Sequence, residues 1–223
     1  MLTLTNVETP RGESLPRSVS VAADALPEAV SSQTGVSVRY VAAPEKKWFV
    51  LRATYHREVK AADYLIADGT YAYIAQKYVE RIVNGKRRRR LVTLVPNLLF
   101  VYATPQQVEQ YVRNTPELSY LTFYYDHFTL DREQKNPALT IPEAEMMSFI
   151  RATSTRDEHL LFVAPERCHF KSGEMVRVVD GLFKGVEGRV ARVCGQQRVV
   201  VSLSKIGLVS TAYIPTAFIE PIK

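Results

Sequence analysis

Few side chains in this chain have the types and spacing that catalysis requires. The sequence contains no phosphate-cradling GxxxxGK(S/T) loop, no GxSxG nucleophile turn and no HExxH zinc helix. Glu143 and Glu145 are paired carboxylates, but they open an apolar helix pattern, where negative charge stabilises the first turn. We therefore interpret them as helix-terminal charges, and we expect neither catalytic residues nor enzymatic activity.

Four further side chains could in principle gather around zinc, namely His159, Cys168, His169 and Cys194. Their spacing fits no standard zinc site, and the two cysteines form no CxxC pair. Widely separated cysteines are typical of a reduced intracellular protein, so we expect no structural disulfide. We also expect no metal site and no cofactor.

A compact basic run offers chemistry of a different kind. Five consecutive cations, Lys86 to Arg90, follow directly on Asn84-Gly85, which is a strong hairpin-turn signal. Clustered cations neutralise phosphates and release counterions, which favours nucleic-acid binding. A solvated hairpin tip is the alternative explanation of the same run. The formal net charge of +6 and the pI near 9.3 do not decide between them, because both also suit an ordinary basic protein.

Hydropathy gives no sign of a membrane segment. No apolar run approaches the roughly 20 residues that a membrane-spanning helix needs. The first residues, MLTLTNVETPRGESLPRS, lack the basic start and apolar core of a secretory signal. We therefore expect a cytoplasmic protein without a membrane partner.

Strand and helix patterns alternate from residue 46 to residue 153, which predicts one compact unit. Residues 1–45 are rich in Ser, Thr, Pro, Ala and Val without sustained periodicity, and we interpret them as a flexible extension. Strand-type runs occur at Trp48–Ala53, at Tyr71–Gln76, in LVTLVPNLLFVYA with a break at Pro96-Asn97, and at Leu118–Tyr125. Helical patterns occur at Tyr55–Ile66, from Pro105 to Asn114, and from Ile141 to Ile150.

A second unit begins at about residue 169, after a segment at 154–168 that we interpret as a linker. Val176 and Val178 are spaced as one face of a strand, and Asp180-Gly181 and Lys184-Gly185 are turn dipeptides. A second apolar run begins at Val186. A strand, a glycine-punctuated turn and a returning strand resemble the KOW motif, although any glycine-turned hairpin shares part of this pattern.

Taken together, the two units resemble the NusG family of transcription elongation factors. The resemblance rests on the order and spacing of WFVLRATYHREVKAADYL, LVPNLLFVY, IPEAEMMSFI, SGEMVRVVDGLFKGVEGRV and RVVVSLSKIGLVSTAYI. Specialised paralogues that act as antiterminators for long operons, of the capsule-locus UpxY type, look most similar. The resemblance implies an α+β fold, with an NGN domain at 46–153 whose antiparallel sheet is flanked by helices. A five-stranded, SH3-like KOW β-barrel is implied at 169–223.

The resemblance also implies a docking site for RNA polymerase. In this family the NGN domain places an apolar surface on the clamp helices of the largest catalytic polymerase subunit, which suppresses pausing. Asn97 stands where the general factor usually has glycine, and Val95 and Leu98 stand where relatives often have aromatic residues. We expect charged replacements at Val95 and Leu98 to abolish polymerase binding while leaving the fold intact. The alternative is that both belong to the core. The expected contacts are Leu94, Val95, Pro96 and Leu98.

Two segments are implied as nucleic-acid contacts. In the family the hairpin loop lies near upstream DNA, so its cations are candidates for phosphate binding. The start of the first helix could read non-template DNA by stacking and hydrogen bonding through Tyr55, His56 and Arg57, although a polar helix start is the plainer explanation. The expected contacts are Arg87, Arg88, Arg89 and Arg90 in the hairpin, and His56 and Arg57 at the helix start.

The second unit is implied to hold a second partner. Relatives use the loops that match Phe183 and Ile206 to bind a small-subunit ribosomal protein or the termination factor Rho, so these two residues are the expected contacts. The alternative for Phe183 is that it closes the end of the barrel. We expect the protein to be a monomer.

A different class of function remains open at this point. A KOW-containing RNA-binding protein of the translation machinery would share the second unit and the basic charge. It would not share the block around LVPNLLFVY, which ribosomal KOW proteins lack. We therefore expect a non-enzymatic elongation and antitermination factor.

Overall fold

The computed structural model of the chain describes residues 26–163, 169–203 and 205–222. Two antiparallel sheets dominate these residues, one in each half of the chain, and helices cover the first sheet. The described residues thus form a mixed α+β fold, as the resemblance implies.

The first sheet consists of the strands β3 (Lys47–Ala53), β4 (Tyr71–Tyr73), β7 (Leu98–Ala103), β8 (Leu121–Phe123) and β9 (Thr140–Ile141). Among the described residues its order is β4-β7-β3-β8, and β9 pairs with β3 beside β8. The central strand β3 reads KWFVLRA and is buried at all but two positions, because a central strand is covered on both faces.

Two of the three helices begin close to where the sequence predicts. In α2 (Pro105–Arg113) the Thr104 hydroxyl accepts a hydrogen bond from the Gln107 backbone N–H at 3.3 Å, and the Gln107 side chain accepts one from Thr104 N–H at 3.1 Å. The helix α3 (Glu143–Ser154) buries Phe149 completely against Phe100 of the sheet, with ring centroids 5.1 Å apart. Both predicted helices are confirmed.

The start of the α1 helix differs from the prediction. α1 spans Glu58–Ala67, whereas Tyr55 and His56 lie before it in a short 3-10 turn with positive φ angles. Left-handed backbone cannot continue into a right-handed helix, so α1 begins three residues later than its apolar pattern suggests.

Residues 26–45 are not the flexible segment that the sequence suggests. They form a small hairpin of β1 (Ala29–Val30) and β2 (Ser37–Val38). The backbone N–H and hydroxyl of Ser32 each donate a 2.6 Å hydrogen bond to the carboxylate of Asp63 on α1. The rest of the predicted extension, residues 1–25, lies outside the described residues.

The aromatic ring of Tyr40 packs this segment against the first sheet. It stacks on Trp48 with centroids 5.7 Å apart and lies 4.7 Å from the ring of Tyr102. Aromatic burial of this kind stabilises a chain that has no periodic pattern of its own. Residues 26–45 therefore pack as part of the first unit.

A two-stranded hairpin extends from the first unit. It consists of β5 (Gln76–Val83) and β6 (Lys86–Thr93), paired from Gln76 opposite Thr93 to Val83 opposite Lys86. Asn84 and Gly85 have φ angles of 52° and 73°, as a type I′ turn requires. At about 3.4 Å per residue the ribbon is about 27 Å long. All of residues 81–90 are exposed.

The second sheet contains six strands among the described residues, namely β10 (Leu161–Val163), β11 (His169–Val178), β12 (Glu187–Val193), β13 (Gln196–Leu203), β14 (Gly207–Tyr213) and β15 (Ile219–Pro221). Their order in the sheet is β10-β14-β13-β12-β11-β15. The strand β10 lies within the segment 154–168 that the sequence suggests as a linker. A Cβ atom on Gly207 would lie 2.6 Å from the ring of Phe162, so glycine lets β10 approach β14.

The two units pack against each other. Helix α3 contacts β13, and both contribute to one continuous cluster of buried apolar side chains. The Lys205 ammonium of the second unit forms an ion pair with Asp126 of the first. Hydrogen bonds from Lys205 and from the Thr129 hydroxyl hold the pKa of the Asp126 carboxyl at about 2, below its ordinary value of 3.8.

Candidate functional site

The predicted polymerase contacts lie in the connection between β6 and β7 and at the first residue of β7, and we name residues 94–98 the docking block. Leu94, Val95 and Leu98 are buried there, with Val95 4 % and Leu98 8 % exposed, and only Pro96 of the four is exposed to solvent. A charged side chain at Val95 or Leu98 would be buried without a partner, which costs several kcal/mol (about 2–7 for a polar group, more for a charge). The burial of Val95 and Leu98 therefore favours the alternative that both belong to the core, and such replacements should destabilise the fold.

Asn97 sets the shape of this connection. Its φ angle is 63°, in the left-handed region that Asn tolerates better than most residues other than glycine. Its backbone carbonyl accepts a hydrogen bond from Ala53 N–H at 2.8 Å, and its side-chain oxygen accepts one from His56 N–H at 3.1 Å. Asn97 thus explains both why glycine suits this position and how the block is joined to the start of α1.

The segment Tyr55 to Arg57 presents its side chains to solvent from a strained backbone. Tyr55 and His56 have φ angles of 58° and 53°, which cost about 1–3 kcal/mol each for side chains of this kind. Tyr55 is 83 % exposed, and His56 and Arg57 are also exposed. The Arg57 guanidinium lies 5.6 Å from the Tyr55 ring centroid and 5.1 Å from that of Tyr120. The result is an exposed aromatic ring beside a cation, which suits base stacking.

The four predicted hairpin arginines are exposed, but their surroundings differ. Arg87 forms an ion pair with Glu80 at 3.7 Å, and Arg89 lies 3.9 Å above the ring of Tyr78. Tyr78 and Arg81 also belong to this surface, although the basic run by itself did not indicate them. The Asn84-Gly85 turn could have revealed them, because a two-residue turn fixes which residues face each other.

Phe183 is placed differently from its expected position. It is 6 % exposed and belongs to the apolar core, so its side chain is not presented at the turn. It lines a small cavity of about 200 Å³ with Phe218 and Ile214, which agrees with the alternative that it closes one end of the sheet. Its neighbour Leu182 is 62 % exposed instead. Ile206 is half-buried.

The described residues contain no group of three or more His, Cys, Asp or Glu side chains that could hold a metal ion. Cys194 is an exposed free cysteine, whereas Cys168 lies outside the described residues. Over the same part of the chain, no helix has the length and apolarity to cross a bilayer.

The fold connects the three predicted contact segments of the first unit and leaves the predicted contacts of the second unit apart from them. The Asn97 to His56 hydrogen bond joins the docking block to the exposed segment at Tyr55. The hairpin leads into the same block, since β6 ends at Thr93. Phe183 and Ile206 belong to the second unit.

Comparison with known proteins supports one family. A protein-family model described as "Transcription termination factor nusG" matches residues 46–150. The matched range runs from just before β3 into α3, and so covers the first sheet, the hairpin and all three predicted contact segments of the first unit. A search of curated proteins found no match.

Proposed function

We propose that this chain, which is a NusG-like protein with its family domain at residues 46–150, is an elongation and antitermination factor that binds RNA polymerase. The family match carries the proposal, because it covers the α+β unit that holds the docking block. The factor would bind the clamp helices through its first unit and suppress pausing or termination without catalysing a reaction.

The docking surface would be organised around Pro96. Pro96 is exposed at the centre of the block, whereas Leu94, Val95 and Leu98 are buried in the core. The exposed ring of Tyr55 is joined to the same region through the His56 to Asn97 hydrogen bond. Apolar groups that remain exposed beside a rigid core suit a helical partner such as the clamp.

Nucleic acid would be a second ligand of the first unit. The exposed hairpin cations are proposed to contact the phosphates of upstream DNA, and Tyr55, His56 and Arg57 to contact the non-template strand. The exposure of both segments and the cation beside the Tyr55 ring support this assignment.

The second unit is proposed to be a KOW domain that recruits a small-subunit ribosomal protein or Rho. Its antiparallel strands and the turn through Gly181, with a φ angle of 81°, fit the motif. The loops at Phe183 and Ile206 are the proposed contact region, in which the exposed Leu182 would supply apolar surface that the buried Phe183 does not.

A binding experiment with purified core RNA polymerase tests the first part. Pro96→Glu is expected to weaken polymerase binding at least tenfold, because it places a charge on the docking surface without burying it. Pro116→Glu is the matched control, since Pro116 is also an exposed proline and begins a short 3-10 helix outside the docking block. Equal binding by both variants would contradict the docking assignment. Capture of ribosomal RNA without polymerase would contradict the proposed function itself.

A further inference from the structure

The register of the hairpin divides its charges between two unequal faces. Directly opposite residues of an antiparallel pair share a face, and faces alternate along each strand. Arg81 is opposite Arg88, and Glu80 is opposite Arg89. We name the side of Arg81, Lys86, Arg88 and Arg90 the cationic face, and the side of Tyr78, Glu80, Arg87 and Arg89 the mixed face.

The cations of the mixed face already have partners within the ribbon. Glu80 forms the 3.7 Å ion pair with Arg87, its diagonal neighbour. The guanidinium of Arg89 lies over the Tyr78 ring at 3.9 Å, a separation typical of a cation–π contact. An external anion would therefore compete with these contacts on the mixed face.

The cationic face has no such compensation. Between Tyr78 and Leu91 it carries four cations and no carboxylate, and none of the four forms an ion pair with any residue that the structure describes. Arg81 and Arg88 are directly opposite, with Cβ atoms roughly 5 Å apart, an arrangement that destabilises a ladder when the charges are alike. An anion bound between them would remove this repulsion.

A further cation near the base of this face has a structural role. Lys77 donates hydrogen bonds to the carbonyl oxygens of Leu160 at 2.8 Å and Glu158 at 3.3 Å. Lys77 therefore links the hairpin to the segment after α3, and its ammonium group is already hydrogen-bonded within the fold.

The spacing and shape of the face fit an extended polyanion. Arg88 and Arg90 are two residues apart on β6, and Lys86 is two residues away on the other side, so the Cα atoms are roughly 6.8 Å apart. A two-stranded ribbon also fits the major groove of B-form DNA, which is about 12 Å wide, whereas the major groove of A-form RNA is too narrow and deep for side chains to read.

We propose that the cationic face binds the phosphates of duplex DNA through Arg81, Lys86, Arg88 and Arg90. Arg87 and Arg89 face away and make no more than minor contacts. This inference rests on the nucleic-acid contact in the proposed function and changes its residues, because it adds Arg81 and Lys86 and removes two of the four arginines.

The test compares two full-length double variants with the same change in charge. Arg81→Gln/Arg88→Gln alters the cationic face, and Arg87→Gln/Arg89→Gln alters the mixed face. Binding to a short fluorescent DNA duplex is measured by anisotropy between about 50 and about 200 mM salt, a range over which phosphate contacts weaken strongly. Circular dichroism checks that both variants are folded.

The cationic-face variant should bind more weakly, and its salt slope should fall by about 1.8, since each phosphate contact contributes about 0.9. The mixed-face variant should keep the slope of the unaltered protein. Equal loss in both variants, or a larger loss in the mixed-face variant, would overturn the face assignment. Absence of duplex binding by the unaltered protein would overturn the DNA contact too, while polymerase binding, measured separately, would still report on the docking proposal.

Discussion

Replacing Leu98 by alanine tests whether the docking block is part of the core. Leu98 opens β7 directly opposite Arg52 of β3 and is 8 % exposed. The change removes three buried carbons at about 0.8 kcal/mol each, or about 2.4 kcal/mol, and the remaining cavity adds to this loss. We therefore expect Leu98→Ala to lower the free energy of unfolding by about 2–4 kcal/mol.

Trp48 provides the assay for this loss. It is the single tryptophan of the chain, is 1 % exposed and lies in β3, so its fluorescence reports unfolding of the first sheet. The urea midpoint should fall while the slope of the transition stays unchanged. Leu130→Ala is the matched control, because Leu130 is 58 % exposed and its truncation should change stability by less than about 0.5 kcal/mol.

The same variant separates folding from docking. If Leu98 acts from beneath the surface, the folded fraction of Leu98→Ala should still bind polymerase with nearly unaltered affinity. A loss of stability below about 0.5 kcal/mol would refute the burial argument, because that is the value typical of an exposed side chain. If Leu98→Ala kept full stability but lost polymerase binding, Leu98 would contact the polymerase directly.

Three further predictions concern the backbone and the packing of the units. Gly207→Ala should destabilise the second sheet because its Cβ would meet the Phe162 ring at 2.6 Å, and adding Phe162→Ala should restore part of the loss; strict additivity in a double-mutant cycle would contradict the contact. Asn97→Val should lower the melting temperature more than Asn97→Gly, because a β-branched residue is strained at a φ of 63°, and the reverse order would contradict the left-handed assignment. The ionised Asp126 carboxylate should stabilise the protein above pH 3.8, and this contribution should be lost as the pH falls to about 2, so acid titrations of the protein and of Lys205→Met should converge in that range; parallel curves would rule out the ion pair.

Local sequence chemistry predicts much of the first unit. The capping residues of α2, the acidic first turn of α3 and the Asn84-Gly85 turn each act within a few residues of chain, so their outcome can be read without the fold. The break between β6 and β7 at Pro96-Asn97 is of the same kind. The resemblance of residues 46–150 to the NusG family also rests on linear blocks of sequence.

The burial of apolar residues beside turns could not be predicted from local sequence. Val95, Leu98 and Phe183 are apolar residues beside turns, and the sequence gives no means to tell an exposed contact from a core residue there. Each is buried because distant segments cover it, and covering is a property of tertiary packing. Residues 26–45 lack a periodic pattern, yet they are ordered by contacts with α1 and with the Trp48 ring.

In the basic hairpin, some features follow from the sequence and others from the folded structure. Its sequence determined the charge, the turn and, through the two-residue loop, the pairing of its strands. The folded structure decided which cations are free. On the mixed face Glu80 pairs with Arg87 and Tyr78 stacks with Arg89, and Lys77 donates a hydrogen bond to a backbone carbonyl of the segment after α3. A charge becomes available to a ligand only where no neighbour in the fold has already neutralised or stacked on it.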